Sequence, residues 1–494
     1  MDAAALLQEA LALHKRGAFD EAERRYRLLL EREPRHFDAL HLLGVLARQR
    51  GEAQLAVGLI ERALAVDQSQ PIAWCNLGTA WQDLGAADRA LRAFDRALAL
   101  NPGYALAHNN RGNACRNLGA HEEALACYAA ALQCKPDYAD AAFSRAIVLL
   151  HLERGEEALA ACEAGLKLRP DADGWSNHGT MLYALGRFGD ALQSMERALR
   201  LDPKHASAKF NHGMALQKLG RYDDALAAYE EALELRPRHA EAWLCRGSVL
   251  RLVGRDSDAA ASYRRAREHG ADAELVAYFL AALGEGEAPT ASPASYVKDL
   301  FDRYAGHFDA HLVEVLHYRT PQLLLDAMRR AGIEPHGDAV DLGCGTGLAG
   351  ALLRPGLTTL HGVDLSPAML EKAAQRGIYD SLACEDIAVY LMRHSGAFDL
   401  AVAADVLVYM GDLAPLMRSA RAALRTGGAF AFSIEETPED TYVLRRSHRY
   451  AHARPYVERV AREAGFKVLR LERCILREDE GEPVDGLAAV LAGA

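Results

Sequence analysis

Glycines recur through the first half of the chain at Gly44, Gly78, Gly112, Gly179, Gly213 and Gly247, with Ala146 in the one vacant place. The steps are 34, 34, 34, 33, 34 and 34 residues. No other feature narrows the fold as far, because a fixed period of this length means a supersecondary unit stacked on copies of itself. Alanines from Ala22 to Ala259 keep the same phase, and prolines such as Pro34, Pro102 and Pro237 close most units.

Each unit carries two amphipathic helical patterns, parted in most units by a turn glycine (Gly17, Gly51, Gly85, Gly119, Gly186, Gly220, Gly254), and is predicted to be a helical hairpin. Small residues let the paired helices cross closely and proline stops the second one. An aromatic nine residues after many of the turn glycines (Tyr26, Phe94, Tyr128, Tyr229, Tyr263) is expected to fill the gap between successive units. Eight units are counted, starting near Ala3, Phe37, Pro71, Ala105, Ala139, Ala172, Ala206 and Ala240.

This pattern resembles the tetratricopeptide repeat (TPR). The resemblance implies an all-α superhelix with a concave groove that binds a protein or peptide partner. It also places the sixth residue of each first helix toward the groove, where Asn76, Asn110, Asn177 and Asn211 stand. An amide offers a donor and an acceptor to a peptide backbone, and the row is similar to the asparagine-lined repeats of O-linked N-acetylglucosamine transferases. The alternative is that these amides brace neighbouring repeats or face solvent.

The chain has 494 residues, half of them hydrophobic, which is too long for one core and excludes a disordered chain. A formal charge of −11 argues against a nucleic-acid reader, which needs a basic stripe. The nine cysteines are scattered and never spaced C-x-x-C, so they are expected to be reduced and to bind no metal. With no basic signal before the first apolar residues and no apolar run of membrane length, the expected place is the cytoplasm and no membrane partner is expected.

Glu274 to Leu283 reads as a helix capping the solenoid. The Gly- and Pro-rich stretch Gly284 to Pro293 reads as a linker. The expected domains are therefore residues 1–273, a cap and linker over 274–294, and a second domain over 295–494. Its first part, around Tyr296 to Tyr304 and Phe308 to Val313, reads as aromatic-rich lid helices, followed by a helix from Gln322 to Ala331 with Pro321 at its start.

From Asp338 short strands alternate with helices, which predicts a parallel sheet covered on both faces, with ligands at the carboxyl ends of the strands. Strands are expected at Ala339–Leu342, Thr359–Val363, Ser381–Cys384, Leu400–Ala404 and Ala429–Ile434, with an antiparallel hairpin formed by Val468–Leu476 and Gly486–Leu491. The first strand delivers Asp341 and the glycines Gly343, Gly345 and Gly347. The next three end at Asp364, at Glu385-Asp386 and at Asp405. A carboxylate after the second strand suits the paired hydroxyls of a ribose, and one after the third suits an adenine amino group.

These motifs resemble a class I S-adenosylmethionine-dependent methyltransferase, over roughly Tyr296 to the C-terminus. The chain as a whole is similar to predicted bacterial methyltransferases that carry TPRs. The resemblance implies a Rossmann-like domain with a mostly parallel seven-stranded sheet and S-adenosyl-L-methionine as cofactor. Asp341 and the glycines then hold its methionine portion, Asp364 with Leu365 the ribose, and Asp386 with Ile387 the adenine, with Asp405 at the next strand end. A rival is a nicotinamide oxidoreductase, since Gly345-x-Gly347-x-x-Gly350 matches the dinucleotide fingerprint. That fingerprint wants its first glycine directly after the strand, where Gly343 stands, and leaves Asp341 unexplained.

Methyl transfer needs alignment and exclusion of water more than covalent help. Tyr304, His311 and His452 are the candidates for a catalytic role. Arg319, Arg449 and Tyr450 are the candidates for gripping an acidic acceptor. Glu435-Glu436 after the fifth strand invites comparison with the paired glutamates of protein arginine methyltransferases, but those are spaced apart in a loop after an earlier strand. Arg477 is read as a residue of a solvated turn, with a site role as the alternative. A competing reading is an interaction scaffold whose C-terminal domain senses cofactor without turnover.

Overall fold

The computed structural model describes residues 2–305, 308–310, 312, 318–479 and 482–493. The chain forms two compact units, Met1–Pro237 and Arg238–Ala494. Among the described residues no helix is long and apolar enough to cross a membrane.

The first unit is seven helical hairpins, from Ala3–Lys15 with Phe19–Arg32 to Ala206–Lys218 with Tyr222–Leu235. Helix crossing explains the glycine series. A Cβ on Gly78 would lie 2.5 Å from the Phe94 ring, and one on Gly112 or Gly213 would lie 2.7 Å from Tyr128 or Tyr229. The aromatic therefore fills the gap between the two helices of its own unit, and Tyr128 also reaches Ser144 of the next unit, as the spacing suggested. Where the glycine is replaced by Ala146, the residue sixteen places on is the small Cys162, and both are fully buried. The turn glycines have φ between 71° and 81°. In the fifth hairpin the same left-handed turn falls on Glu153, at φ 58°.

The second unit begins with an eighth hairpin, Ala240–Leu252 and Asp256–Glu268, and the helix Ala273–Ala282. Its sheet has nine strands: β1 Asp338–Leu342, β2 Thr359–Asp364, β3 Ser381–Cys384, β4 Phe398–Ala403, β5 Leu424–Glu436, β6 Tyr442–Leu444, β7 Tyr450–His452, β8 Phe466–Asp479 and β9 Glu482–Gly493. The order β3-β2-β1-β4-β5 is parallel throughout. β9 pairs antiparallel with β5 and with β8. This is the expected seven-stranded arrangement with one addition. The carboxyl end of β5 runs on past its neighbours, and the short β6–β7 hairpin pairs with it at Glu435 and Glu436.

The linker is a strap rather than a free tether. The Thr290 carbonyl accepts from Gly411 N at 2.8 Å and Asp412 N at 3.0 Å, and Ser292 N donates to the Tyr409 carbonyl at 2.8 Å. Upstream, the Tyr278 hydroxyl donates to the His448 carbonyl at 2.5 Å while Phe279 stacks on the His448 ring at 4.6 Å. Arg446 donates to the Arg251 carbonyl and to Asp256, both at 2.7 Å. The last hairpin, the helix after it and the strap are thus packed into the second unit along the β6–β7 turn.

Candidate functional site

β1 and β2 end side by side, and their termini are tied together before any ligand is considered. Gly343 N and Cys344 N donate to the Val363 carbonyl at 2.7 and 3.0 Å, and Gly345 N donates to Asp364 Oδ2 at 2.9 Å. The other Asp364 oxygen accepts from Ser366 N at 2.9 Å. Gly343, Gly345 and Gly347 have φ of 65°, 53° and 93°, a region that L side chains rarely enter. A Cβ on Gly343 would strike Val406 at 2.4 Å. Among the described residues a Cβ on Gly345 would meet only the Phe308 ring, at 3.6 Å. Gly343 is therefore needed for packing, whereas Gly345 opens a cradle.

Asp341 is 1% exposed and accepts from the Tyr379 hydroxyl at 2.7 Å. Burial pushes its carboxyl up to about 6. Burial also raises Asp364, against the backbone N–H groups of Ser366, Gly345 and Leu365 that favour its charge. Asp386 caps the helix Ile387–Arg393 by accepting from Ala388 N at 2.8 Å and Val389 N at 3.1 Å, and Ile387 is buried beneath it. Leu365 follows Asp364 and is half-buried. The segment ahead of the sheet closes over the loop: Asp309 accepts from the Thr346 hydroxyl and pairs with Arg376, and Asp302 accepts from the Ser366 hydroxyl.

The ends of β4 and β5 hold a constellation that the sequence reading missed. Asp405 has a left-handed backbone, φ 63°, and its N–H donates to Ser433 Oγ at 2.8 Å. Its carboxylate accepts from Arg477 Nη1 at 2.9 and 3.1 Å. Arg477 is 2% exposed and also pairs with Glu435, which is equally buried and accepts from Arg445 Nη1 at 2.9 Å; Arg449 lies 3.7 Å away. Burial raises both acids. Arg477 and Glu435 are thus both buried at the carboxyl end of the sheet, and Arg477 does not lie on a solvated turn. Three tyrosines surround them. The Tyr318 hydroxyl reaches the Ala404 carbonyl at 3.5 Å, and Tyr304 and Tyr409 lie within the field of Arg449.

Two of the expected side chains are engaged elsewhere. His452 is fully buried, its Nε2 donates to the carbonyls of Met410 at 2.8 Å and Gly411 at 3.1 Å, and burial pulls it down to about 4. It braces the β4–β5 crossover and is closed to an acceptor. Tyr450 is fully buried and donates to the Pro289 carbonyl at 2.6 Å, so it fastens the strap rather than gripping a ligand. Arg319 is exposed at the start of the helix Thr320–Arg330. His311 lies outside the described residues.

In the first unit three of the four asparagines bond to the preceding repeat. Asn76 Nδ2 lies 2.9 Å from His41 Nε2, Asn110 donates to Thr79 Oγ1 at 3.4 Å, and Asn211 donates to Thr180 Oγ1 at 3.1 Å, each reaching one repeat back. Asn177 is half-buried at the same position. Each bond uses the amide nitrogen on a neighbour in the protein.

Comparisons with known proteins agree with this architecture. A model of the family described as "Methyltransferase domain" matches residues 340–430. Models described as "Tetratricopeptide repeat" match 7–71, 75–139, 124–173 and 210–274, and another matches 170–238. The chain is a TPR protein with a C-terminal methyltransferase domain. Over 86 residues it is 44% identical to human methyltransferase-like protein 27, covering 17% of this chain and 35% of that protein. Over 185 residues it is 30% identical to the malonyl-[acyl-carrier protein] O-methyltransferase of Halorhodospira halophila, covering 34% and 61%. It therefore spans less than two thirds of either relative's length. Among solved structures, YrrB, described as a TPR protein with an unusual peptide-binding site, is 27% identical with a TM-score of 0.32, covering 38% of this chain and 96% of that one.

Proposed function

We propose that the chain transfers methyl groups from S-adenosyl-L-methionine, with repeats that recruit a protein partner or a carrier-bound acceptor. The observation that carries this reading is the cradle at Gly345. Its half-buried backbone carries no Cβ to fill the space above it, its N–H is fixed by Asp364, and an acid ends each adjacent strand. The residues suit the cofactor's chemistry. Asp341 is a carboxylate for the ammonium, Asp364 retains lone pairs for ribose hydroxyls after its backbone bonds, and Asp386 beside buried Ile387 offers an acceptor next to an apolar wall for adenine. When bound, the sulfonium supplies an activated methyl group, and what the chain must do is orient the acceptor and exclude water.

The family models support a methyltransferase and repeats, and the repeats support a peptide-binding groove. The nine cysteines are all free thiols, which supports the cytoplasm as the working compartment. The acceptor named for the Halorhodospira relative belongs to that protein and assigns none here.

Isothermal titration of S-adenosylmethionine into the full chain tests the cofactor. Saturable binding that weakens by about tenfold or more in Asp364→Ala is expected. No heat from S-adenosylmethionine, or heat from a nicotinamide dinucleotide instead, overturns the reading.

A further inference from the structure

We infer that Tyr379 is a positioning residue for the cofactor: its hydroxyl sets the carboxylate of Asp341, and through it the ammonium at the methionine end. This rests on the methyltransferase reading above and adds to that site a residue from outside the glycine loop.

Space is the first argument. Tyr379 follows the helix Pro367–Arg376, which ends on Gly377 at φ 64°, and stands two residues ahead of β3. From there its hydroxyl donates to Asp341 Oδ2 at 2.7 Å, 38 residues back in the chain. The glycine loop is shaped to admit it. A Cβ on Gly347 would lie 3.0 Å from Tyr379 Cε2, and one on Gly350 would run into the hydroxyl and stand 2.7 Å from Cζ. Gly350 lies within the helix Leu348–Leu353, where glycine is costlier than alanine, so its place is explained by the room it leaves. The third glycine of Gly345-x-Gly347-x-x-Gly350 is therefore accounted for by a tyrosine and needs no dinucleotide. The same segment grips the loop once more, because Arg376 Nε donates to the Thr346 carbonyl at 2.5 Å.

Charge is the second argument. Asp341 is 1% exposed, and Asp364 on the neighbouring strand is a second acid that opposes its ionisation. A carboxylate in such a place stays an anion only where donors hold it, and otherwise takes up a proton. Tyr379 is such a donor, its phenol kept protonated by burial and by Asp341 itself, and the Gly350 N–H is another. With Oδ2 held, the carboxylate is fixed before a ligand arrives, which is the preorganisation that binding rewards. Without the hydroxyl the acid gives up part of its charge and its fixed orientation, and an ammonium is held less firmly.

Isothermal titration of S-adenosylmethionine and of 5′-methylthioadenosine, which lacks the amino-acid end, into the full chain and its Tyr379→Phe variant tests the role. Phenylalanine keeps the ring and removes only the donor. Binding of S-adenosylmethionine is expected to weaken about tenfold while that of 5′-methylthioadenosine is unaffected. In an Asp341→Asn background, where the anion is gone, Tyr379→Phe is expected to cost little further affinity. Equal weakening of both ligands, an unchanged affinity for S-adenosylmethionine, or an undiminished loss in the Asp341→Asn background overturns the role of Tyr379 and leaves cofactor binding standing. Failure of the natural chain to bind S-adenosylmethionine overturns the methyltransferase reading itself, and this inference with it. Thermal unfolding provides the check on space. Gly350→Ala is expected to lower the unfolding temperature of the natural chain more than that of Tyr379→Phe, which has vacated the hydroxyl's place. An equal lowering in both overturns the fit of Tyr379 to Gly350.

Discussion

One nitrogen of Arg477, Nη1, reaches both carboxylate oxygens of Asp405, at 2.9 and 3.1 Å, and the other guanidinium end is held by buried Glu435. Breaking such a pair costs more than the pair contributes, because the acids are left charged and dry. Arg477→Ala is expected to destabilise the second unit by about 3–5 kcal/mol, in the range seen for stripped buried pairs. Urea unfolding followed by fluorescence from a tryptophan placed beside the sheet measures it, since of the four native tryptophans only Trp243 belongs to that unit, in its first hairpin. A loss below about 1 kcal/mol, the size of an exposed pair, contradicts the buried network.

Asp341 gives a pH dependence of definite sign. Its folded carboxyl titrates near 6, above its value in the unfolded chain, because burial disfavours the charge. The folded state therefore holds the proton more tightly. Stability from this group is fully present below about pH 4 and lost as pH rises through about 6. Asp341→Asn keeps an oxygen for the Tyr379 hydroxyl and removes the charge. It is expected to stabilise the second unit by about 2–3 kcal/mol at pH 8, with the gain vanishing below about pH 4. Unfolding curves at the two pH values decide, and a gain that grows toward acid pH contradicts the assignment.

Glu153 occupies the left-handed turn that glycine takes in the other hairpins, at φ 58°. A side chain in that region costs roughly 1 kcal/mol relative to glycine. Glu153→Gly is expected to raise the stability of the first unit by about that amount, less the entropy that glycine adds to the unfolded chain. Differential scanning calorimetry reads it as an upward shift of the first unit's transition. An unchanged or lowered transition shows that Glu153 holds the turn by some other interaction.

Much of this was readable from the residues, and the parts that were not share a cause. The repeats declare themselves because helix, turn and crossing all lie within one period, and the strands of the sheet show as short apolar runs ending in acids. That the ring also lies against the glycine of its own unit was not legible, because Tyr128 is sixteen residues from Gly112 in sequence, a spacing silent about how many surfaces the ring meets. An asparagine facing a groove and one bracing Thr79 look alike until both helices are placed. β6 and β7 have three residues each, too few to show alternation. Arg477 meets partners 42 and 72 residues away, which only the antiparallel return of β8 and β9 past β5 brings together. His452 looked like a base in sequence because nothing local reveals that Met410 and Gly411 turn their carbonyls toward it.

The glycine loop allows folding and binding to be separated by a single methyl group. At Gly343 an added Cβ meets Val406 at 2.4 Å on a backbone already at φ 65°. Gly343→Ala is therefore expected to cost about 2–4 kcal/mol, the sum of overpacking and left-handed strain. At Gly345 the same Cβ meets, among the described residues, only Phe308 at ordinary contact distance, so Gly345→Ala is expected to cost about 1 kcal/mol from its φ of 53°. That methyl nevertheless stands in the cradle where a ligand approaches the backbone. Gly345→Ala is expected to leave the second unit folded and to weaken S-adenosylmethionine by about tenfold or more. Paired unfolding and calorimetric titrations of the two variants distinguish these effects. If Gly345→Ala binds as tightly as the natural chain, the cradle is not where the cofactor lies, and the acids at the ends of β1 and β2 require another ligand.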